Sequence, residues 1–243
     1  MICSLKLKSL FNQLIQTGSQ IQKQLLINQI LKHHFLDCSI LIQQVYGHKR
    51  ISSICIITGY GQNKGGDYLA YSYLTEYLAY KGYFVVSIQH ELPADSLIPS
   101  AGTPQIVRRP FWERGADNIL FTINELKLSN PELNFKHITL IGHSNGAYMT
   151  ALFPQKYPGI VYKIITLDNR RMALPRTNNP RVYSLRSSDQ PPDEGVLPTD
   201  EEKATYEMAI IKLQNTIHNE MDNKANKKQC KEIRAYVMTF LAE

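Results

Sequence analysis

An apolar block at 137–141 runs directly into Gly142-His143-Ser144-Asn145-Gly146, and a helical pattern opens immediately behind it. A strand, a five-residue turn and a helix in unbroken succession are compatible with few folds. Small residues on both sides of the serine let a sharp, strained turn pack closely against neighbouring backbone. Such a turn lifts Ser144 clear of the strand end. It also aims the Asn145 N–H, and the N-terminus of the helix behind it, at the space above the hydroxyl. Ser144 is therefore a candidate nucleophile. The Asn145 N–H is a candidate donor to a developing oxyanion, an interaction on the order of 3 kcal/mol.

The remainder of the chain supplies a setting for that turn. Ile54-Cys55-Ile56-Ile57 and Phe84-Val85-Val86 are apolar runs without alternation, as required of strands covered on both faces. Between them lie a glycine-rich loop at 59–67 and helical spacing over 68–81, stopped by Gly82. This is a βαβ unit with a right-handed crossover. Further strands are expected at 137–141, 161–167, 181–185 and 209–213, with helices at 112–127, 145–157, 199–208 and 228–241. The segment 89–111 carries Pro93, Pro99, Pro104 and Pro110 and has no regular pattern, which predicts a long loop that shapes or covers a site. Upstream, Ile21 and Leu25, Leu26 and Ile30, and Ile27 and Leu31 are spaced four apart, predicting a helix over 20–34. A strand is expected over 35–46. The fold class that follows is α/β: an N-terminal helical segment, residues 1–34, packed on a single domain, residues 35–243, whose mostly parallel sheet has helices on both faces.

Composition narrows the function classes. The net charge of +6 is spread along the chain rather than gathered in a stripe, which argues against nucleic acid as a partner. Cys3, Cys38, Cys55 and Cys230 lie far apart without a C-x-x-C pair, so neither a zinc site nor a dithiol motif is expected. No metal and no cofactor is called for. No stretch approaches the ~20 apolar residues of a membrane-spanning helix, so no stable membrane insertion is expected. Residues 1–20 break their apolar run at Asn12, Gln13 and Gln16 and lack a secretory core. The expectation is a cytoplasmic protein, with secretion by a route lacking a conventional signal left open.

The turn Gly142-His143-Ser144-Asn145-Gly146, the glycine-bearing loop after residues 54–58 and the position of His218 together resemble the α/β-hydrolase superfamily over residues 35–243. The resemblance implies the chain order nucleophile, acid, histidine, with the acid following a strand near the far edge of the sheet. Only His218 among the histidines lies downstream of Ser144, which makes it the general base expected from that order. Asp189, just past the strand at 181–185, is the expected acid; Asp168, ending the preceding strand, is the alternative, and Asp193 and Glu194 are the remaining candidates for that role. His143 reads as a packing or orienting residue. The second oxyanion donor is expected to be the Tyr60 N–H in Thr58-Gly59-Tyr60-Gly61, where relatives often carry His-Gly. Threonine at that point departs from the lipase type.

About a dozen residues separate the strands ending at 167 and starting at 181, too few for a large cap domain. Arg108, Arg109 and Arg114 flank the only tryptophan, Trp112, and Arg170, Arg171 and Arg176 share a later loop. Trp112, Arg109 and Arg171 are thus candidates to bind an anionic group of a substrate. The competing reading pairs these arginines with Glu113, Asp117, Asp168, Asp189 and Asp193. The function expected is hydrolysis of a carboxylic ester of a small-molecule substrate. Acyl transfer by the same triad and a non-catalytic binding module of the same fold are the alternatives. Oligomeric state leaves no signal in the sequence.

Overall fold

The computed structural model describes residues 25–33, 36–44 and 53–243. Its strands are β1 (Leu25–His33), β2 (Leu36–Gln44), β3 (Ser53–Thr58), β4 (Phe84–Gln89), β5 (Asn134–His143), β6 (Lys163–Leu167), β7 (Arg181–Arg186) and β8 (Ala209–Lys212). They form one sheet in the order β1-β2-β4-β3-β5-β6-β7-β8. β3 to β8 run parallel, while β1 and β2 join antiparallel at the β4 edge. The helices are α1 (Ser72–Tyr80), α2 (Pro104–Val107), α3 (Arg109–Ser129), α4 (Asn145–Lys156), α5 (Asp200–Thr205) and α6 (Lys227–Ala242).

The register explains why the apolar runs do not alternate. Val86, Ile56, Leu140, Ile164 and Val182 are paired neighbours across five strands and bury one face against Trp112, Ile119 and Ile123 of α3 and Leu152 and Phe153 of α4. The intervening residues, among them Cys55, Ile57, Val85, Ile141, Ile165 and Tyr183, bury the opposite face against Leu74 and Leu78 of α1 and Ile233, Val237 and Phe240 of α6. Each such aliphatic side chain contributes roughly 1.5–3 kcal/mol on burial, so both layers are stabilised by the same strands. This is the α/β-hydrolase fold, and the connection 168–180 carries no helix, so no large cap domain is inserted at that point. The chain turns from β3 out to β4 and then returns across β3 to β5. The reversal of winding lies between β3 and β5, and the crevice at their carboxyl ends is where ligands sit in open α/β sheets.

Two sequence expectations need correction. The helix expected over 20–34 is, in its described part, the strand β1, paired with β2 over nine residues. A spacing of four is also two strand periods, so the apolar pairs that predicted a helix fit a strand face equally well. Residues 1–24 of the expected N-terminal segment lie outside the described residues. The second correction concerns 89–111, where α2 begins at Pro104 and α3 at Arg109 with Pro110 in its first turn. Those prolines open helices, since a first-turn residue needs no N–H and benefits from a fixed φ.

Lys163 opens β6 and is buried, its Nζ donating to the carbonyls of Phe240 and Leu241 at 2.9 Å each. It thus satisfies the carboxyl end of α6, where a cation also meets the negative pole of the helix. Lys163→Met keeps the length and loses both bonds, which is expected to cost about 1–3 kcal/mol. Urea unfolding should show a lower midpoint at unchanged slope; an unchanged midpoint would refute the capping role.

Candidate active site

β5 ends at His143, and Ser144 takes a positive-φ conformation, φ 55 and ψ −119, that is sterically costly for a residue with a Cβ. The turn is fastened on both sides. The Ser144 N–H donates to Leu167 O at 3.1 Å, and its carbonyl accepts from Ala147 N at 3.0 Å and Tyr148 N at 3.3 Å. The flanking glycines are required by contact: a Cβ on Gly142 would lie 2.3 Å from Gly146 O, and one on Gly146 would lie 2.4 Å from Thr58 O. The end of β3 therefore touches the serine turn directly. The Asn145 N–H, at the first position of α4, has no intrahelical partner. The Asn145 side chain is held from behind by Trp112, whose Nε1 donates to its Oδ1 at 2.7 Å.

Ser144 Oγ lies 3.0 Å from His218 Nε2, and His218 Nδ1 lies 2.6 Å from Asp168 Oδ2. The carboxylate on the imidazole is thus Asp168, and the expectation of Asp189 in that place is corrected. Strand order gives the reason, since β6 adjoins β5 and its end brings Asp168 one strand nearer to Ser144 than the end of β7. Asp189 instead accepts the main-chain N–H of His218 at 2.8 Å. Together with Ser188 N and Oγ on Thr216 O, at 2.9 and 3.1 Å, it fixes the loop that presents the ring.

Asp168 is fully buried at φ 54. Its Oδ1 accepts from the Ser187 N–H at 3.0 Å and pairs with Arg186 Nη1 at 3.0 Å, leaving Oδ2 to the imidazole. Burial alone would raise its pKa; the bond from His218, the Arg186 guanidinium and the Ser187 N–H outweigh that and hold it below the ordinary value. Arg186 is itself buried and also donates to the carbonyls of Asn169 and Gln190. The sequence reasoning missed it, although an arginine closing a buried strand was a usable signal, because a buried cation requires an anion beside it.

The loop after β3 is braced so that its main chain is fixed. Gly61 N donates to Asp67 Oδ2 at 2.9 Å, Gly66 N to Gln89 Oε1 at 2.8 Å, and Asn63 Nδ2 to Asp95 O at 2.9 Å. Tyr60, half-buried, accepts from Ile98 N on its hydroxyl at 3.4 Å. His143 packs its ring 4.7 Å from that of His218 and meets the Tyr71 hydroxyl at 2.9 Å through Nδ1.

The expected substrate arginines face acids. Arg109 pairs with Glu113 at 2.7 Å, and Arg171 lies 3.7 Å from Asp193. Arg176 binds Glu202 at 3.2 Å and several carbonyls. Trp112 has no exposed surface and packs in the core 5.1 Å from Tyr148, so its assignment to substrate is corrected. Gln105 of α2 donates to Asp193 at 2.6 Å, carrying the segment after β4 over to the loop after β7. Among the described residues no group of three or more His, Cys, Asp or Glu is placed to hold a metal ion, and no helix is long and apolar enough to cross a membrane.

No protein-family model matches the chain, and no curated protein matches it. Solved structures do. It is similar to Thermogutta terrifontis esterase 2 phosphoramylated by tabun, with TM-score 0.64 and 10% identity over 88% of this chain and 94% of that one. A ferulic acid esterase from Streptomyces cinnamoneus gives TM-score 0.60 and 15% identity, covering 85% of this chain and 82% of that one. A fungal esterase from Rhizomucor miehei gives TM-score 0.59 and 12% identity, covering 96% and 87%. These likenesses establish the α/β-hydrolase fold.

Beside this site Glu91 is fully buried, with no hydrogen-bond partner for either carboxyl oxygen among the described residues and Arg114 Nη2 3.8 Å away. Burial outweighs Arg114 and pushes its pKa from near 4.5 to about 8. Between those values the folded chain keeps a proton that the unfolded chain has lost, so stability falls as pH rises through the window. Glu91→Gln, neutral in both states, is expected to flatten that decline. Urea midpoints compared at about pH 5 and about pH 8 test it, and equal slopes for the two proteins would count against it.

Proposed function

We propose that this chain is a serine hydrolase that cleaves a carboxylic ester of a small molecule through an acyl-enzyme on Ser144. The observation that carries the reading is the unbroken line of contacts Ser144 Oγ, His218 Nε2, His218 Nδ1 and Asp168 Oδ2, at 3.0 and 2.6 Å, on a strained turn between strand and helix. The esterase activity named for the similar structures points the same way.

In this reading His218 Nε2 takes the Ser144 proton as Oγ attacks the ester carbonyl carbon, and the carbonyl π electrons move onto oxygen. The N–H groups of Asn145 and Tyr60 receive that oxyanion. Collapse of the tetrahedral species breaks the bond to the alcohol oxygen, which leaves with the proton from His218. Water, deprotonated by His218, then attacks the acyl carbon and regenerates Ser144 as the acid departs. Asp168 keeps Nδ1 protonated and stabilises the imidazolium formed in each half-reaction. An alcohol in place of water would turn the same steps into acyl transfer.

Ser144→Ala is expected to abolish turnover of p-nitrophenyl acetate and labelling by a fluorophosphonate while the circular dichroism stays unchanged; retained turnover would overturn the assignment. The acid is tested by comparison. Asp168→Asn should lower kcat by about 10³–10⁴-fold by favouring the wrong tautomer, whereas Asp189→Asn keeps an acceptor for the His218 N–H and should cost less than about ten-fold. The reverse ranking would reinstate Asp189. Only the main chain of Tyr60 is used, so Tyr60→Phe should retain most activity and Tyr60→Pro should lose roughly 10²-fold or more. Similar rates for the two would exclude that donor.

A further inference from the structure

We infer that Tyr71 and His143 are positioning residues that hold the His218 ring and the Tyr60 loop on one buried strut, an inference that rests on the serine-hydrolase reading above. His143 closes β5 and is 5% exposed, its ring 4.7 Å from that of His218 at an interplanar angle of 40°. Behind it the Tyr71 hydroxyl lies 2.9 Å from His143 Nδ1, with the two rings edge-on at 5.7 Å and 73°. Tyr71 also fills the space over Gly59: a Cβ there would lie 2.4 Å from Tyr71 Cε2 and 2.5 Å from its hydroxyl oxygen. Gly59 immediately precedes Tyr60, so one phenol touches both the chain leading into the oxyanion loop and the support of the base.

The chemistry of the strut suits that task. Burial keeps the Tyr71 phenol protonated, with Asp222, Tyr73 and Asp67 acting in the same direction. In the tautomer that carries the ring proton on Nε2, the hydroxyl donates to His143 Nδ1. Among the described residues Nε2 has no full hydrogen-bond partner, though the His143 ring meets the His218 main chain in a weaker contact. Burial first, then the neighbouring His218, push the His143 pKa down to about 3, against the pull of Asp168 and with a further push from Lys224. An uncharged ring at this distance lets His218 become an imidazolium without a like charge beside it. Its ring, tilted by 40° against that of His218, also limits the orientations open to His218 to those near the Ser144 and Asp168 contacts.

Rotating the base away from Ser144 slows chemistry more than it weakens ground-state binding, because near-attack geometry is lost while the substrate pocket stays intact. Tyr71→Phe keeps the ring over Gly59 and removes only the hydroxyl. It is expected to lower kcat for p-nitrophenyl acetate by about ten-fold with KM within about two-fold. His143→Phe keeps the packing on His218 and should give a similar loss. Because Tyr71 acts on the base through His143, Tyr71→Phe added to His143→Phe should cost little more, the signature of coupled residues. Additive losses, a change confined to KM, or wild-type kcat in Tyr71→Phe would overturn the strut with the esterase reading intact. Wild-type protein that neither turns over the ester nor takes up a fluorophosphonate would overturn both.

Discussion

The contact between Gly146 and the Thr58 carbonyl governs the geometry of everything around Ser144. With no side chain at Gly146, the first turn of α4 sits against the end of β3, and Thr58 Oγ1 donates back to Gly146 O at 3.2 Å. That closeness forces Ser144 to reverse the chain within one residue, at a positive φ that costs of order 1–3 kcal/mol by itself. Hydrogen bonds from both faces of the turn, to Leu167 O and from Ala147 and Tyr148, over-determine the conformation. The strain is thereby held in place by the sheet, and the hydroxyl is presented at its edge.

Electrostatic placement follows from the same edge. Asp168 and Arg186 are both buried, and removing two charges from water costs several kcal/mol per ion before their attraction is counted. Such a pair is weak support for stability, so its value lies in what it fixes. Arg186 and the Ser187 N–H both occupy Oδ1, which leaves Oδ2 as the one oxygen aimed at the imidazole. Among the described residues Asp189 has no ion-pair partner and its carboxylate meets the His218 main-chain N–H, so it shapes the loop rather than the ring. Near these charges the neutral groups matter as much. Burial keeps His143 uncharged, pushed down to about 3, so it sets no positive charge beside His218 at neutral pH.

Legibility in the sequence followed locality. The serine turn is written in five consecutive residues, and the apolar blocks of β3, β4 and β5 declare strands buried on both faces. His218 was reachable because no other histidine follows Ser144. The acid was not reachable in that way, since Asp168 and Asp189 each end or follow a strand and only the neighbour order of β5, β6 and β7 separates them. Trp112 was misread for a related reason. Arginines around it suggested an exposed site, but helical spacing turns Trp112, Gly115 and Ile119 inward while Arg109 and Glu113 face outward. β1 was misread because a four-residue spacing does not distinguish two strand periods from one helical turn.

The strand order also explains why residues so far apart in sequence converge. Winding reverses between β3 and β5, so the loops leaving those two adjacent strands turn to opposite faces and open a crevice between them. The loop from β3 carries Tyr60 and the turn from β5 carries Ser144, and they meet at that crevice through Gly146 and Thr58. β6 and β8 add Asp168 and His218 from the same carboxyl edge because all of these strands are parallel. Inserting a residue within β5 would shift its pairing by one and turn Ser144 into a helical layer. The site therefore depends on register as strictly as on residue identity, and the paired row from Val86 through Ile56, Leu140 and Ile164 to Val182 is what holds that register.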